Sequence, residues 1–192
     1  MALIERQTGE TRVRLRLVLD GCGEFTGSTG IPFLDHMLHQ LSRHSGFDLD
    51  VDASGDLEVD YHHTVEDVGI CLGLALREAL GSATGIERFA HAITPLDEAL
   101  AMVALDLSGR GFLETEGAFE HGRIRDFDLN LFEEFLRAFI MNGKFTLHIR
   151  LLSGKNPHHR IEAAFKGLAK SLRDATRVCP GSTVVPSTKG TL

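Results

Sequence analysis

Cysteine, long apolar runs and positive charge are all in short supply in this sequence, and each shortage excludes a class of protein. The three cysteines, at positions 22, 71 and 179, show no CxxC spacing and form an odd set. They indicate reduced thiols in a cytoplasmic protein and not a disulfide framework. No run of about twenty apolar residues occurs, so we expect no membrane span. The N-terminal MALIERQTGETRVRLRL lacks an apolar stretch after a basic start, and we expect no secretory signal.

The deficit of positive charge bears on the partners. A net charge of −7 argues against nucleic acid as the main partner. Basic residues are nevertheless concentrated in RIRDF and in KNPHHRIEAAFKGLAKSLRDATR, where a local pocket for an anionic small molecule is compatible with the composition. With 192 residues, 43% of them hydrophobic, the chain is long enough for one ordinary core or for two small halves that share one.

One motif, His-His-x-x-Glu, occurs twice. His62, His63 and Glu66 align with His158, His159 and Glu162 at a shift of 96 residues (158 − 62). Upstream, FLDHMLHQLSRHSGFDLDV lies over LFEEFLRAFIMNGKFTLHI after a two-residue change in offset. An internal repeat of this length predicts two similar halves related by a pseudo-twofold axis. We expect a single domain made of residues 1–92 and 93–180, followed by a tail at 181–192.

The hydrophobic periodicity predicts matching elements in the two halves. In the first half it predicts a strand from Val13 to Leu19, a helix in IPFLDHMLHQLSRHS, a strand in FDLDVDA, and a helix from Thr64 to Leu80. In the second half it predicts strands at Ala99–Leu107, Phe112–Thr115 and Thr146–Leu152, and helices from Asp128 to Met141 and from His158 to Thr176. Sheets of mainly antiparallel strands, each covered by two helices, define the α+β class. The tail VCPGSTVVPSTKGTL is predicted to be an extended loop.

Each copy of the motif begins with a His-His doublet, His62–His63 or His158–His159. The helical spacing directs the two histidines of a doublet toward different neighbours. His62 and Glu66 are four residues apart and share a helix face, whereas His63 is rotated by about 100°. One metal ion is therefore predicted on His62 and Glu66, with His63 directed toward a second ion. The repeat gives the mirror arrangement, in which His158 pairs with Glu162 and His159 points away.

We expect the earlier helix of each half to supply the remaining ligand, at the equivalent positions His36 and Glu134. Imidazole and carboxylate ligands without thiolate favour Mn, Fe, Ni or Zn, and several imidazoles with one carboxylate in octahedral geometry suit Mn. A lone His-His at a helix start is usually surface or capping chemistry, but two sets in register favour a metal site. The other histidines, which lack such partners, are predicted to be structural: His39, His44, His91, His121 and His148.

Weaker features leave alternatives open. The segment SGRGF, residues 108–112, resembles an anion-binding turn but also a hairpin connection. PSTKGTL combines hydroxyls and an ammonium group that fit a phosphate. LDEAL, residues 96–100, offers a general base in Asp97 or Glu98, or a helix-capping acid.

Taken together, six segments resemble the imidazoleglycerol-phosphate dehydratase family of histidine biosynthesis. They are FLDHMLHQLSRHSGFDL, DYHHTVEDVGICLG, TPLDEALA, DLSGRGF, NPHHRIEAAFKGLAKSLRDA and PSTKGTL. The resemblance runs from about Glu5 to the last residue and is to the monofunctional form. It implies a ribosomal protein S5 domain 2-like fold, with a four-stranded sheet and two helices in each half. It also implies a homo-oligomeric shell of twenty-four subunits with the metal sites at subunit contacts.

The resemblance implies a reaction as well. D-erythro-imidazole glycerol phosphate loses water to give imidazole acetol phosphate, although the hydrogen removed is not next to a carbonyl group. Two Mn ions per active site hold the substrate ring between them as imidazolate, so that electron density leaves through a diazafulvene-like intermediate.

Residue roles follow from the same resemblance. The first ion is expected on His36, His63, His158 and Glu162, and the second on His62, Glu66, Glu134 and His159. The catalytic set comprises Glu10, His62, His63, Glu66, His158, His159 and Glu162, with Glu10 as substrate contact and acid/base. The phosphate end of the substrate is expected to meet Arg88, Arg110, Ser187, Thr188 and Lys189. The sequence departs from the family in Glu134, where histidine is frequent, and in Arg160, where an apolar residue is common.

Two other functions remain open from the residues alone. A metal-dependent hydrolase of a phosphorylated small molecule needs the same ligands but no imidazole ring in its substrate. A non-catalytic, metal-assembled shell protein uses its histidines only to join subunits.

Overall fold

The computed structural model of the chain describes residues 1–117 and 122–190, which form ten strands and four helices. The strands are β1 (Ala2–Gln7), β2 (Thr11–Val18), β3 (Phe25–Ser28), β4 (Asp48–Gly55), β5 (Phe89–Leu96), β6 (Ala99–Asp106), β7 (Phe112–Glu116), β8 (Arg123–Ile124), β9 (Phe127–Asp128) and β10 (Thr146–Ser153). The helices are α1 (Pro32–Ser45), α2 (His62–Leu80), α3 (Asn130–Gly143) and α4 (Pro157–Thr176).

Two four-stranded sheets share one strand arrangement. Their strand orders are β1-β2-β4-β3 and β5-β6-β10-β7. In each sheet the last pair is parallel, β3 with β4 and β7 with β10, and the other pairs are antiparallel. The predicted α+β class is therefore confirmed, and the matching sheets are consistent with duplicated half-units. The predicted boundary near residue 92 falls within β5, which belongs wholly to the second sheet.

Helix ends follow the local sequence. Pro32 occupies the first turn of α1, where the missing N–H costs nothing, and Gly46 ends the helix in the left-handed conformation with φ of 79°. Asn156 caps α4 by accepting a hydrogen bond from the His158 backbone N–H. The helices predicted from periodicity are all present, and the two His-His doublets lie in the first turns of α2 and α4.

The structure decides between the alternatives for two connections. LDEAL is the tight turn between β5 and β6, with Asp97 at φ of 47°, and from this turn the Glu98 carboxylate accepts from the backbone N–H of Asn156, the N-cap residue of α4. SGRGF links β6 to β7, but β7 pairs with β10 and not with β6. The hairpin interpretation of that segment is therefore wrong.

The four helices join the two sheets through one hydrophobic core. α2 packs on the first sheet and against α3, while α4 packs on the second sheet and against α1. Buried apolar side chains from all four helices and both sheets belong to a single cluster. Because α1 crosses to α4 and α3 crosses to α2, each helix pair combines one helix from each half.

The contact between α2 and α3 is close because α2 carries glycine there. A Cβ built on Gly73 lies 2.4 Å from the Phe139 carbonyl oxygen and 2.7 Å from the Gly143 nitrogen. A Cβ on Gly69, one turn earlier, lies 2.7 Å from the Phe135 carbonyl oxygen. These neighbours are backbone atoms, which cannot rotate away.

We therefore expect Gly73→Ala to lower the free energy of unfolding by about 1–3 kcal/mol, the usual cost of overpacking a dense interior. Denaturant unfolding followed by circular dichroism measures this change. Gly9→Ala is the control because its Cβ meets no heavy atom within 4 Å. Equal stability of the two variants would contradict the close helix contact.

Candidate metal and active site

Three predicted ligands converge where α1 crosses α4. The Nε2 atom of His36 lies 3.2 Å from the Oε2 atom of Glu162, and the Nε2 atom of His158 lies 3.0 Å from that same oxygen. The ligand atoms of the three residues all lie within 4.8 Å of one another. Two imidazole nitrogens and one carboxylate oxygen thus face a common point, as the ligands of a metal ion do.

Local structure explains the convergence. His158 and Glu162 are four residues apart at the start of α4 and therefore lie on one face of the helix. His36 comes from α1, and the Phe33 ring packs against both imidazoles, with centroid distances of 6.4 Å to His36 and 5.3 Å to His158. The Phe33 ring thus lies beside both imidazoles, whose Nε2 atoms face Glu162.

Glu162 is held as a carboxylate. Its side chain is only 12% exposed, and its second oxygen accepts a hydrogen bond from the Lys166 ammonium at 2.7 Å. Burial opposes ionisation, but the hydrogen bonds from Lys166, His36 and His158 outweigh it and lower the pKa of Glu162 to about 2. The group is therefore an anion at neutral pH and binds a cation without losing a proton.

The crossing of α2 and α3 presents a related set. The His62 Nε2 atom lies 3.8 Å from the Oε2 atom of Glu66, again four residues along one helix face. Glu134 of α3 and His62 line the same cavity. The cavity has a volume of about 480 Å3 and is also lined by Asp126 and Asp128. α3 thus contributes a carboxylate where α1 contributes an imidazole.

The second histidine of each doublet points elsewhere. His63 places Nδ1 3.0 Å from Asp56, and His159 places Nδ1 2.8 Å from Glu98. In each doublet the two rings are nearly perpendicular, at 86° and 89°. These hydrogen bonds raise the pKa of both histidines. The structure therefore does not bring His63 or His159 into the cluster of His36, and their assignment to metal ions stays a prediction.

The predicted acid/base lies beside one of these outlying histidines. The Oε2 atom of Glu10 is 3.7 Å from the His63 Nε2 atom, and the Glu10 side chain is 57% exposed. Glu10 ends the turn between β1 and β2, and its position therefore depends on that hairpin.

The residues predicted to bind phosphate are partly assembled. Arg88 donates from Nε and Nη2 to the two carboxylate oxygens of Asp106, at 2.8 and 3.2 Å, and from Nη1 to the Pro186 carbonyl at 2.7 Å. The tail segment that contains Ser187, Thr188 and Lys189 therefore begins next to Arg88. Arg110 follows in the loop after β6, where its backbone N–H donates to the Ser108 hydroxyl at 3.3 Å.

Sequence reasoning missed two polar partners in the site. Lys166 is four residues after Glu162 on α4, a spacing that gave a usable signal. Asp56 gave none, because its contact with His63 depends on how the chain turns between β4 and α2. Glu98 was singled out only as an alternative to Asp97, and its bond to His159 links residues 61 positions apart.

The histidines predicted to be structural contact ordinary neighbours. His39 stacks on Phe25 at a centroid distance of 5.8 Å, and His44 shares a 3.0 Å hydrogen bond with Gln40. His148 packs near Phe112, with centroids 6.0 Å apart. His121 lies outside the described residues. Among the helices in the described part of the chain, none has the length and apolarity that a bilayer span requires.

The fold and the site together define a class, namely α+β proteins with two matching four-stranded sheets and with imidazole and carboxylate groups at helix contacts. The family model for imidazoleglycerol-phosphate dehydratase matches residues 29–172. The chain is 55% identical over 190 residues to the imidazoleglycerol-phosphate dehydratase of Pelotomaculum thermopropionicum, covering 99% of this chain and 97% of that one. It is 56% identical over 191 residues to the enzyme of Desulforudis audaxviator, covering 100% and 97%.

Solved structures agree. The crystal structure of the Staphylococcus aureus dehydratase superposes with a TM-score of 0.82 at 34% identity, covering 93% of this chain and all (100%) of that one. The Pyrococcus furiosus enzyme, in complex with (S)-C348, gives a TM-score of 0.83 at 38% identity, covering 98% and 100%. The chain belongs to the imidazoleglycerol-phosphate dehydratase family. It is a lyase that catalyses the dehydration step of histidine biosynthesis, and the hydrolase and shell-protein alternatives are set aside.

Proposed function

We propose that the chain converts D-erythro-imidazole glycerol phosphate to imidazole acetol phosphate with two manganese ions in each active site. The observation that carries the metal proposal is the convergence of His36, His158 and Glu162 on one point. The donors are nitrogen and oxygen without thiolate, and Glu162 is already ionised. This donor set fits Mn, and the low exposure of Glu162 fits a group whose charge a cation balances.

Each ion takes ligands from a helix pair and from one outlying histidine. The proposed first set is His36, His158 and Glu162 with His63, and the proposed second set is His62, Glu66 and Glu134 with His159. Asp56 and Glu98 hold the two outlying histidines in their own half-units. This supports the proposal that His63 and His159 complete sites on a neighbouring copy of the chain.

The chemistry divides between the metal and the chain. When bound, the ions supply Lewis-acid polarisation of the imidazole ring of the substrate. Glu10 has an exposed carboxylate near His63, and we assign it the transfer of the proton between the reacting carbon and solvent. The helix-borne histidines fix the plane of the substrate ring, because their own orientations are restricted by neighbouring side chains.

The phosphate end is proposed to bind Arg88, Arg110, Ser187, Thr188 and Lys189. The contact between Arg88 and the Pro186 carbonyl supports this set, since it places the hydroxyl-rich tail next to a guanidinium group. Arg88 carries five N–H donors and uses three of them in the contacts described above, so further donors are available to a phosphate oxygen.

We further propose a homo-oligomeric shell of twenty-four subunits. The outer face of the second sheet has exposed apolar side chains at Phe89 (59%), Ile93 (57%), Phe112 (52%) and Leu152 (52%). Ion pairs lie on the outer faces of both sheets, Arg150 with Glu116 at 2.8 Å on the second and Arg14 with Asp50 at 3.2 Å on the first. The exposed apolar side chains of the second sheet support burial against another copy.

The cell compartment and the domain organisation are also part of the proposal. The three cysteines are free thiols, which supports a reducing, cytoplasmic location. One core shared by both half-units supports a single domain of two halves, about 1–92 and 93–180, with a tail from residue 181.

A metal-depletion assay tests the proposal. Protein stripped with a chelator is expected to lose turnover of imidazole glycerol phosphate, and Mn(II) is expected to restore it with two ions bound per active site. Product is followed by detection of the enolised acetol. Full turnover by the stripped protein would contradict the metal proposal, and equal activity on phosphorylated substrates without an imidazole ring would contradict the proposed chemistry.

A further inference from the structure

We propose that Asp56 and Glu98 are positioning residues that fix the tautomer and the direction of His63 and His159. This inference rests on the proposed function, in which the two outlying histidines are metal ligands. Neither acid belongs to the predicted ligand set.

Glu98 contacts more hydrogen-bonding groups than Asp56. Its Oε1 atom accepts hydrogen bonds from the backbone N–H groups of Lys155 and Asn156, at 3.1 and 2.8 Å, and its Oε2 atom faces His159 Nδ1 at 2.8 Å. The Ser153 hydroxyl donates to the Glu98 carbonyl at 3.1 Å. The turn between β5 and β6 is thereby tied to the loop before α4, and the carboxylate has one orientation.

Asp56 plays the equivalent part in the first half. Its two oxygens lie 3.2 and 3.0 Å from His63 Nδ1, and its side chain is 21% exposed. The two acids occupy different places in their half-units, one directly after β4 and the other in the β5–β6 turn. The two acids are therefore not at equivalent positions of the two half-units. Each nevertheless contacts the Nδ1 atom of the second histidine in its doublet.

The choice of nitrogen has a chemical consequence. An ionised carboxylate only accepts hydrogen bonds, so Nδ1 of each histidine carries the proton. In a neutral imidazole the other nitrogen, Nε2, then has its lone pair free for a metal ion. His36 and His158 differ, because their Nε2 atoms face the carboxylate of Glu162 and carry the proton in the metal-free chain. His63 and His159 are therefore the two imidazoles of the four that are set to bind through a free Nε2 atom.

Glu98→Gln tests the inference directly. Glutamine keeps an oxygen for the two backbone N–H groups but turns an NH2 group toward His159, which then has to accept at Nδ1. We expect one histidine of the metal-free protein to change from the Nδ1–H to the Nε2–H tautomer. Magic-angle-spinning NMR of protein labelled with 15N-histidine reports this change at any assembly size. Binding of Mn(II) at one of the two sites is expected to weaken by about 10–100-fold, as for other partners that orient metal-bound histidines.

Glu87→Gln is the matched control. Glu87 has the same side-chain exposure as Glu98, 40%, and is likewise hydrogen-bonded, to Arg177. We expect it to change neither the tautomer nor Mn(II) binding. An unchanged His159 tautomer and unchanged Mn(II) affinity in Glu98→Gln would overturn the inference. A purely structural ion pair would lower thermal stability in both variants and leave the tautomer as it is.

Asp56→Asn provides a second route. Within the part of the chain that the structure describes, the Asp56 side chain contacts His63 and not the loop before α4, so the substitution does not release that loop. The expected result is the same change at His63. The proposed function and the positioning role are tested by separate results. If wild-type protein binds no Mn(II), the proposed function fails, whereas the tautomers of the metal-free protein still test the positioning role.

Discussion

Glu162→Gln is expected to lower turnover at least about a thousandfold while leaving the protein folded. One Glu162 oxygen faces both His36 and His158, and the other accepts from Lys166. Replacing it by an amide removes the negative charge that holds a cation at this point. Loss of Lewis-acid stabilisation worth several kcal/mol corresponds to about three factors of ten in rate, at about 1.4 kcal/mol each.

Three measurements define the outcome for this variant. Steady-state turnover is expected to fall, the Mn content per active site is expected to drop from two ions toward one, and circular dichroism is expected to stay unchanged. Glu133→Gln is the control, since Glu133 is a half-buried carboxylate on α3 whose partner is Arg137 at 2.8 Å. A Glu162→Gln protein with normal Mn content and normal turnover would show that this carboxylate holds no metal.

Two inactive variants are expected to restore activity when they assemble together. His63→Ala lacks the outlying histidine but keeps the cluster on α1 and α4, whereas His158→Ala lacks the cluster and keeps His63. If the two groups meet across a contact between copies, random mixing at equal ratio pairs an intact cluster with an intact His63 in about a quarter of the contacts. Denaturing and refolding the two variants together, with Mn(II), is therefore expected to recover roughly that share of the activity.

The control mixture contains His36→Ala and His158→Ala. Both variants damage the same cluster, so no contact in the mixture has three intact ligands, and no recovery is expected. If the first mixture also stayed inactive while both variants assembled normally, then His63 would belong to its own chain's site.

An element was predictable where its periodic apolar pattern and the residues at its ends indicate the same structure. Helix α1 has Pro32 at its start, a buried stripe that includes Leu34 and Leu41, and Gly46 at its end. Strand β5 was missed because its pattern is inverted. It buries Ala92 and Thr94 while exposing Phe89 and Ile93, so apolarity does not mark its inner face.

β1 and β3, which were also missed, have too few buried residues to give a clear alternation of apolar and polar positions. β3 is four residues long, lies at a sheet edge and is mostly exposed. β1 is also an edge strand, and the two central strands, β2 and β4, carry most of the buried residues of that sheet. Edge strands are held by backbone pairing with a neighbour, and that pairing depends on residues distant in sequence.

The site was predictable to the extent that it repeats. Helical spacing paired His158 with Glu162, the repeat predicted His36 as a further ligand, and the structure brings the three together. The partners of His63 and His159 were not predictable, because Asp56 and Glu98 reach them through turns whose geometry only the folded chain defines. The pairing of Arg88 with Asp106 is of the same kind, since it joins the ends of two adjacent strands.

The central claim is that each chain binds one metal ion at each of its two helix crossings. Anomalous diffraction at the manganese edge, from crystals grown with Mn(II), tests it most directly. We expect two manganese peaks per chain, one bound by His36, His158 and Glu162 and the other by His62, Glu66 and Glu134. Manganese-replete crystals of active protein without an anomalous peak at the first cluster would contradict the account.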